Sequence, residues 1–482
     1  MAISRRSLIG GFAAASATAG LSACGNSNDV SNQSSAPARN PDDKVAAIIA
    51  KGPIIPAEPD RLLLNRDNAV REMQKAKVDL LICADPVNVQ YITNSRGTAS
   101  LIGVDGANFA TLSSSIEKKP SLIGNRIGYY FDAPKPSVAD QLDFRFSGIP
   151  SEPEIFGTLT EAADIVKAPA APFAMPRIHD VNALSQHEKR RLDQVEKAFT
   201  RLYASIEACL LAEILEAKLP NKTIAIDNPQ LRAVIEKTGL DVKIVDGERL
   251  IRRMRMIKSP DEIEYMRFVA QANSLAAKAA ARSVREGATF RDVRHEFSKT
   301  CAEYGSQFKY LMLDTHTPAL AEGEIKNGRS FLMDAVSTFH EYHGDYGRTV
   351  CIGEPNKKMQ QVIDGLSWVW DRIFPELKPG KTYADIYVLA AKLFAETGID
   401  VAYAVNPHNV GMHHHDEPNA FDFSLSFAKD INIELQENMI VSIDMPVLDV
   451  GQGGSAHLED SVLITKDGPE FINDPEDRFI VV

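Results

Sequence analysis

Apolar runs and helical spacing alternate through the first half of the chain, starting near residue 61. The spacing of apolar residues predicts a helix over Asn65–Lys77, and continuous apolar residues predict a buried strand over Val78–Cys83. Asp85-Pro86 breaks this strand, and Val87–Ile92 then carries β-branched and aromatic residues, which favour strands. Another apolar stretch, Phe109–Leu112, is predicted to continue the sheet.

The alternation continues up to about residue 250. We predict a long amphipathic helix over Ser185–Ala217, a strand over Thr223–Asp227, a short helix from Pro229 and a strand over Val242–Val245. Alternating strands and helices predict an α/β sheet covered by helices. The sequence of this half contains no glycine-rich nucleotide-binding loop and no catalytic triad. We therefore interpret residues 58–250 as a structural and substrate-shaping domain.

A strong helix start marks the boundary with the second half of the chain. Ser259 is a suitable N-cap, Pro260 suits the first helical position, and Glu262 completes a capping box. Apolar residues then recur at helical spacing, and Gly287 is predicted to end the helix. We predict a second domain, of the α+β class, over residues 251–482.

The first 57 residues are predicted to be a targeting segment and a tether. Arg5-Arg6 precedes Leu8–Ala23, which is too short and too weakly apolar for a lasting membrane span. This stretch ends in Leu-Ser-Ala-Cys, so residues 1–24 are predicted to be a twin-arginine lipoprotein signal with Cys24 as the lipidated residue; a plain secretory signal is the alternative. Residues 25–57 are predicted to be a flexible tether, because Gly25–Lys44 is mostly Ser, Asn, Asp, Pro and Ala. The expected location is the periplasm, with attachment to the bacterial membrane only through the lipid.

Length, charge and cysteine content narrow the class of protein. The 482 residues are too many for one ordinary core, which favours two domains. A formal net charge of -12 without a Lys/Arg-rich run argues against nucleic acid as a partner. Besides Cys24, the four cysteines form no C-x-x-C pair, so buried thiols are favoured over a disulfide framework.

The candidate chemistry lies in the stretch Phe331–Thr349. Phe331-Leu332-Met333 is predicted to end a buried strand, and Asp334 follows directly. Asp345 lies eleven positions later, and a hairpin turn around Ser337–Tyr342 would bring the two carboxylates together. Two carboxylates side by side repel each other unless a proton or a cation lies between them.

Three further candidate ligands follow in the same half. His408 lies in a predicted polar turn, Asp444 ends the alternating strand Met439–Asp444, and Glu459 precedes the strand Ser461–Thr465. Sites rich in carboxylate and poor in imidazole suit divalent Mn, Zn, Co or Fe, and two such ions together activate water and polarise a carbonyl. Each of these residues taken singly also has an interpretation other than a metal ligand. His408 could be a turn residue that only makes hydrogen bonds, and Asp444 could simply begin a turn. The run His413–His415 could be a solvated loop or an adventitious metal binder.

Taken in order, these residues resemble a known family. Asp334, Asp345 in D-x-x-R-T, His408 in H-x-V-G-x-x-x-H-x-x-P, Asp444 and Glu459-Asp460 are similar to the pita-bread metallopeptidases, closest to the Xaa-Pro aminopeptidase and prolidase branch. Ile257–Ile263 also resembles the entry to that catalytic domain. The resemblance covers about residues 58–475. It implies a C-terminal pita-bread catalytic domain preceded by a smaller α/β domain like the N-terminal domain of creatinase, and a homodimer.

The resemblance also implies a role for each residue. Asp345 and Glu459 would bridge two divalent metal ions, Asp334 would complete one site, and His408 with Asp444 the other. His415 would contact the scissile carbonyl or the tetrahedral intermediate, Asp444 would share proton handling with His415, and His316 would bind substrate.

Three positions depart from the family pattern and indicate a divergent member. Asp444 replaces a glutamate, Asn409 replaces the glycine after the ligand histidine, and His457 replaces an arginine two residues before the last glutamate. The expected function is hydrolysis of a peptide or amide bond in a small substrate, near proline, by a dinuclear metal-bound hydroxide. Two alternatives remain: a creatinase-like C–N hydrolase or metal-assisted lyase acting on a small molecule, and a non-catalytic binding protein with this fold.

Overall fold

Two β-sheets organise the structure, which is a computed structural model. It describes residues 52–104, 106–126, 128, 134–172, 181–186, 188–190, 192–193, 202–314, 325–399, 401, 405–419, 432–450 and 454–482. Cys24 and the predicted signal and tether up to residue 51 lie outside these residues.

The N-terminal sheet contains strands of mixed direction. Its strands are β1 (Leu80–Cys83), β2 (Phe109–Ser113), β3 (Ser121–Asn125), β4 (Asp143–Ser147), β5 (Leu202–Tyr203), β6 (Thr223–Ile226) and β7 (Lys243–Asp246). Their order is β5-β4-β3-β2-β1-β6-β7, with β1 parallel to β6 and antiparallel to β2. The helices of this part are α1 (Arg66–Lys75), α2 (Pro86–Thr93), α3 (Thr98–Leu101), α4 (Pro136–Ala139), α5 (Pro153–Phe156), α6 (Ala162–Lys167), α7 (Ile206–Glu216) and α8 (Leu231–Glu236). The predicted α/β layer is confirmed.

Two predictions for this part are wrong. Residues 87–92 belong to helix α2, because Asp85 accepts hydrogen bonds from the backbone of Val87 and Asn88 as an N-cap and Pro86 takes the first helical position. The predicted helix over Ser185–Ala217 is not continuous, because strand β5 and the N-cap Ser205 precede α7.

The C-terminal sheet is larger and almost entirely antiparallel. Its strands are β8 (Gln307–Leu313), β9 (Ser330–Phe339), β10 (Tyr342–Cys351), β11 (Asn406–Asn409), β12 (Asp416–Asn419), β13 (Ile440–Val447), β14 (Ala456–Thr465), β15 (Gly468–Phe471) and β16 (Phe479–Val481). The main order is β12-β11-β13-β14-β10-β9-β8, with β15 beside β14 and β16 beside β10. The helices of this part are α9 (Glu248–Met256), α10 (Pro260–Arg282), α11 (Phe290–Glu303), α12 (Lys357–Ile373) and α13 (Tyr383–Thr397).

Helices cover one face of this sheet and leave the other for the candidate site. Apolar residues of α10 pack with Phe331 and Met333 of β9, and those of α12 and α13 pack with Val441 and Ile443 of β13. The approach of α10 is close: a Cβ on Gly344 would lie 2.5 Å from the carbonyl oxygen of Val269. Residues of opposite parity on the same strands therefore point away from these helices.

The hairpin β9–β10 fixes which residues share a face. Its turn is limited to His340 and Glu341, both with positive φ, and the strands extend further into the predicted turn than expected. Asp334 therefore lies within β9 rather than after its end. The tip of the hairpin contacts the N-terminal part, since Gln90 Nε2 donates to His340 O at 2.9 Å and Arg96 pairs with Glu341 at 2.6 Å.

Helix α10 begins as predicted but ends early. Its capping box is confirmed, with Ser259 and Glu262 each bonded to the other's backbone N–H. The helix ends at Arg282, and Gly287 lies beyond it with a φ of +80°, its N–H bonded to Ile325 O. The prediction for Gly287 is therefore wrong.

Two further predictions in this half are corrected. The strand predicted to end at Asp444 continues as β13 to Val447, because residues 445–447 stay paired with β14. His408 lies on strand β11 and is buried, not in a polar turn.

The described residues include the four cysteines that were predicted to be buried thiols. Cys83, Cys209, Cys301 and Cys351 are free and buried, as predicted. Among the described residues, no helix combines the length and apolar character that crossing a membrane requires.

Candidate metal centre

The centre is built on one row of residues that runs across five strands. Asp334 lies opposite Gly347, which lies opposite Glu459, and Glu459 lies opposite Asp444, which lies opposite Asn406. Directly paired residues of antiparallel strands share a face, so the three acids point to the same side of the sheet. This is the side opposite helices α10, α12 and α13.

A second row lies two residues further along the same strands. It consists of Asp345 on β10, Ser461 on β14, Ser442 on β13 and His408 on β11, whereas His457 lies two residues from Glu459 in the other direction along β14. Since side chains alternate along a strand, residues two apart share a face. The odd separation of Asp334 and Asp345 thus brings them together, because the two-residue turn pairs even positions on β9 with odd positions on β10.

Glu459 lies at the middle of the cluster, and each of its two carboxylate oxygens contacts different neighbours. Its Oε1 lies 3.8 Å from His408 Nε2 and accepts a hydrogen bond of 2.8 Å from Ser442 Oγ. Its Oε2 lies 3.2 Å from His457 Nε2, which in turn lies 3.3 Å from Asp444 Oδ1. The two sets Asp345–His408–Glu459 and Asp444–His457–Glu459 each place their ligand atoms within 4.8 Å of one another.

Several of these buried atoms have no hydrogen bond to any described residue. They are both carboxylate oxygens of Asp345, both ring nitrogens of His408, and one oxygen each of Asp334 and Asp444. Buried polar atoms normally have partners, and charged ones are costly without them. Oxygen and imidazole donors that converge without partners fit a divalent cation.

Burial and mutual repulsion dominate the electrostatics of the acids. Burial, together with the charge of Glu459, raises the pKa of Asp334 and of Asp345 well above the usual range and that of Asp444 to about 6. Burial alone would raise the pKa of Glu459 too, but the neighbouring imidazoles of His408 and His457 hold that pKa well below the usual range. Glu459 is therefore the acid most firmly ionised.

His457 provides positive charge inside the cluster. Burial alone would lower its pKa, but the hydrogen bond with Glu459 and the charges of Asp444 and Asp334 raise that pKa to about 9. Its ring lies over Gly347, where a Cβ would come within 1.7 Å of His457 Cδ2. Glycine at position 347 therefore makes the room that the imidazole occupies.

Two consecutive histidines line the centre on the β11–β12 side. His414 Nε2 lies 3.1 Å from Asp345 Oδ1, and its ring contacts the hydroxyl of Tyr310 at 3.2 Å. The ring of His415 stacks on that of His408 with centroids 4.0 Å apart and an angle of 9°. Burial, and the neighbouring His408 and His414, lower the pKa of His415, so its imidazole is neutral at pH 7.

Most of the sequence-predicted residues meet here, and the sequence analysis missed some neighbours. Asp334, Asp345, His408, Asp444 and Glu459 share one face, with His415 stacked beside them. His316 lies outside the described residues. His457 and His414 were not predicted as site residues, although the position of His457 two residues before Glu459 on a strand is a usable signal.

A cavity beside the N-terminal sheet lacks comparable chemistry. It measures about 660 Å³ and lies at the ends of β1 and β6, beside Asp85 and Asp227. Asp227 is fully engaged, since it accepts hydrogen bonds from the backbone of Ala84 and Asp85 and from Asn88. The unsatisfied buried acids thus distinguish the C-terminal centre.

Comparison with known sequences gives the family of this half. Residues 264–466 match the model of metallopeptidase family M24. The Xaa-Pro dipeptidase of Pyrococcus furiosus is 24% identical over 276 residues, which cover 55% of this chain and 77% of that protein. The probable dipeptidase PepE of Mycobacterium bovis is 26% identical over 275 residues, covering 55% of this chain and 71% of that protein.

Solved structures show the same fold at lower identity. The prolidase from Pyrococcus furiosus superposes with a TM-score of 0.56 at 17% identity, covering 84% of this chain and 98% of that one. The Xaa-Pro dipeptidase from Bacillus anthracis gives 0.59 at 16% identity, covering 87% and 100%. The predicted family and fold class are confirmed. The chain thus matches metallopeptidase family M24, a family of metal-dependent hydrolases, through residues 264–466, and it has the pita-bread fold.

Proposed function

We propose that this protein is a peptidase that uses two divalent cations to cleave short peptides at an Xaa-Pro bond. The observation that carries the proposal is the convergence of Asp334, Asp345, His408, Asp444 and Glu459 on one face, with buried oxygen and nitrogen atoms that lack partners among the described residues. The names of the relatives, Xaa-Pro dipeptidase and prolidase, suggest the proline preference.

These five residues would hold the cations, of which Mn, Zn, Co or Fe are the candidates. Bound there, the ions supply a Lewis acid for the substrate carbonyl and an activated water. Glu459 suits a bridging role because its two oxygens face different neighbours, and Ser442 fixes its orientation through the 2.8 Å hydrogen bond. The acids alone concentrate negative charge, which favours a cation over an anionic ligand.

The histidines beside the centre would act on the substrate. His415 is neutral at pH 7 because its pKa is lowered, so one ring nitrogen carries a proton and can donate it as a hydrogen bond to the oxygen of the scissile carbonyl. Stacking on His408 holds the plane of that ring. Asp444, on the same face as the other four acid and imidazole groups, would accept and return a proton during the reaction.

The test is cleavage of paired peptides by the full-length chain. Protein stripped with chelator and reloaded with Mn²⁺, Zn²⁺ or Co²⁺ is assayed for release of proline from Ala-Pro and Leu-Pro, with Ala-Leu as the matched peptide. We expect cleavage that requires metal and favours the proline peptides. Metal-dependent cleavage of Ala-Leu but not Ala-Pro would contradict the proline preference, and absence of bound metal would contradict the metallopeptidase itself.

We also propose export and attachment through a lipid on Cys24, together with a homodimer. The support for export is the sequence of residues 1–24, with its twin arginine and Leu-Ser-Ala-Cys. Expression of the whole chain with Cys24→Ser as the control tests it: the native chain should enter the membrane fraction and the variant should not. Sedimentation of the purified chain measures the oligomeric state.

A further inference from the structure

The imidazole of His457 lies between the carboxylates of Asp444 and Glu459. A hydrogen bond to one of them would not require this position. His457 lies two residues before Glu459 on β14, and its side chain is 2% exposed. Its Nε2 is 3.3 Å from Asp444 Oδ1 and 3.2 Å from Glu459 Oε2. A single N–H points at one acceptor, whereas this nitrogen is nearly equidistant from two.

These distances match the spacing of ligand atoms around one metal ion. Ligands held at about 2.0 Å from a tetrahedral Zn²⁺ stand roughly 3.3 Å from one another. The three atoms come from three side chains on two adjacent strands, with Asp444 directly opposite Glu459. Asp444 Oδ1 has no hydrogen bond to any described residue, so it is available as a ligand.

The neighbouring strand is shaped to admit the imidazole. Gly347 lies opposite Glu459, and a Cβ at that position would come 1.7 Å from His457 Cδ2 and 2.1 Å from Nε2. Thr349 then holds the backbone of His457 at both groups, accepting from its N–H at 2.9 Å and donating to its carbonyl at 3.0 Å. The ring is therefore fixed in its place by position 347 and by the backbone of β14.

We propose that His457 is itself a metal ligand, and that its Nε2 completes a cation site with Asp444 and Glu459. This inference rests on the proposed function, since it concerns one of the two cations of that centre. With His408 on the other side of Glu459, each cation would then have one imidazole and shared carboxylates. A donor set with imidazole on both sides favours Zn²⁺ or Co²⁺ over Mn²⁺.

Two variants separate metal ligation from charge. His457→Phe keeps a ring of similar size without a lone pair, and His457→Arg keeps a positive charge without a lone pair. His295→Phe is the matched control, because it removes an exposed imidazole on helix α11 that takes no part in the centre. Each full-length chain is stripped with chelator and titrated with Zn²⁺ alone by calorimetry, and bound zinc is counted by elemental analysis.

We expect two zinc ions in the wild type and in His295→Phe. In both His457 variants we expect one ion, or a second ion bound at least about 100-fold more weakly. Two ions with unchanged affinity in both variants would overturn the role of His457 while leaving the proposed function intact. A wild-type chain that binds no metal would overturn the proposed function itself.

A direct observation keeps the test independent of whether the variants fold. Crystals of the zinc-loaded wild type, measured at the zinc absorption edge, should show an ion about 2.0–2.1 Å from His457 Nε2. Zinc at the centre with His457 Nε2 beyond bonding distance would overturn the proposal, whatever the variants do.

Discussion

Buried acids in the N-terminal and C-terminal parts of this chain have opposite surroundings. In the N-terminal part, Glu213 on helix α7 accepts hydrogen bonds from Lys118 and Arg145 at 2.6 Å each and from Thr111 at 3.2 Å. In the C-terminal sheet, both oxygens of Asp345 lack hydrogen bonds to the described residues. The carboxylate of Glu213 is fully hydrogen-bonded, whereas that of Asp345 is not. This contrast distinguishes a structural charge from a site that accepts a cation.

The two faces of the C-terminal sheet repeat this contrast between adjacent residues. Asp460 follows Glu459 on β14 and points to the opposite face, where it accepts hydrogen bonds from Arg348 at 2.6 Å and from Asn473 at 2.8 Å. Glu459 faces histidines that can give up their protons to make room for a metal. The chain thus pairs buried acids with arginine where charge must be permanent and with imidazole where it must be exchangeable.

The largest effect is expected for Asp345→Asn. We expect metal affinity and peptide cleavage to fall at least about 100-fold, because a bridging carboxylate is lost. In chelator the variant should be at least as stable as the wild type, since removing the charge relieves repulsion among buried acids. Calorimetric titration with Zn²⁺ and urea denaturation in chelator measure the two effects.

Asp467→Asn, at an exposed turn position after β14, is the matched control and should change neither quantity. An Asp345→Asn chain that lost several kcal/mol of stability in chelator would show that Asp345 is structural, as Glu213 is.

Removing Glu213 should have the reverse outcome. Glu213→Ala leaves Arg145 and Lys118 without their shared partner, and we expect a loss of about 3 kcal/mol in the free energy of unfolding. Zinc affinity should be unchanged, because the C-terminal centre is separate. Glu216→Ala is the control: its carboxylate pairs with the same Arg145 but is half exposed, so less than about 1 kcal/mol should be lost. An equal loss in both variants would remove the distinction.

The pH dependence of stability should carry opposite signs in the two regions. Burial alone would raise the pKa of Glu213, but the hydrogen bond from Lys118 and the charge of Arg145 lower it. A lowered carboxyl pKa contributes stability that is present above the unfolded value of 4.5 and lost as pH falls through the folded pKa. For Asp345, whose pKa burial raises, stability is present below the unfolded value of 3.8 and lost as pH rises.

Urea denaturation at pH about 7 and about 4 measures this difference. In chelator, Glu213→Gln should lose less stability than the wild type on acidification, by an amount on the order of 1 kcal/mol. Asp345→Asn should lose more on acidification, because the wild type gains from protonating Asp345 there. Parallel pH profiles for the two variants would contradict the assignment of opposite surroundings.

The smallest effect is expected at Ser442, which only orients a ligand. Ser442→Ala removes the hydrogen bond to Glu459 Oε1, and we expect zinc affinity to weaken about 10-fold with little change in stability. Ser461→Ala is the control, because Ser461 lies opposite Ser442 but donates to the backbone carbonyl of Asp345. Equal weakening in both variants would indicate a general loosening of the sheet.

The sequence predicts the ligands better than their surroundings. The order and spacing of Asp334, Asp345, His408 and Glu459 were sufficient for the family and fold. The face on which His457 lies could be predicted from its spacing to Glu459, but its contacts could not, because they depend on the missing side chain at Gly347 on a strand more than a hundred residues away. Predicting side-chain contacts between strands that are distant in the chain requires the register of their pairing, and the sequence alone does not specify that register.

Errors in element boundaries have local causes. Asp85-Pro86 begins a helix rather than a break between strands, and the N-cap chemistry of aspartate before proline contained that signal. The end of α10 at Arg282, short of Gly287, reflects tertiary contacts, since the N–H of Gly287 pairs with Ile325 across the fold. Local pattern is reliable at caps and weak where distant backbone competes.

The two-residue turn at His340 and Glu341 restricts how this protein can vary in length. Loss or gain of a single residue between Asp334 and Asp345 would turn one of the two acids to the helix-covered face, whereas a change of two would restore both. Contacts of Gln90 and Arg96 with the turn then hold the hairpin at this length from outside. Among natural variants, we therefore expect the number of residues between Asp334 and Asp345 to change only by even numbers. The contacts with the N-terminal part are expected to limit the length of the hairpin.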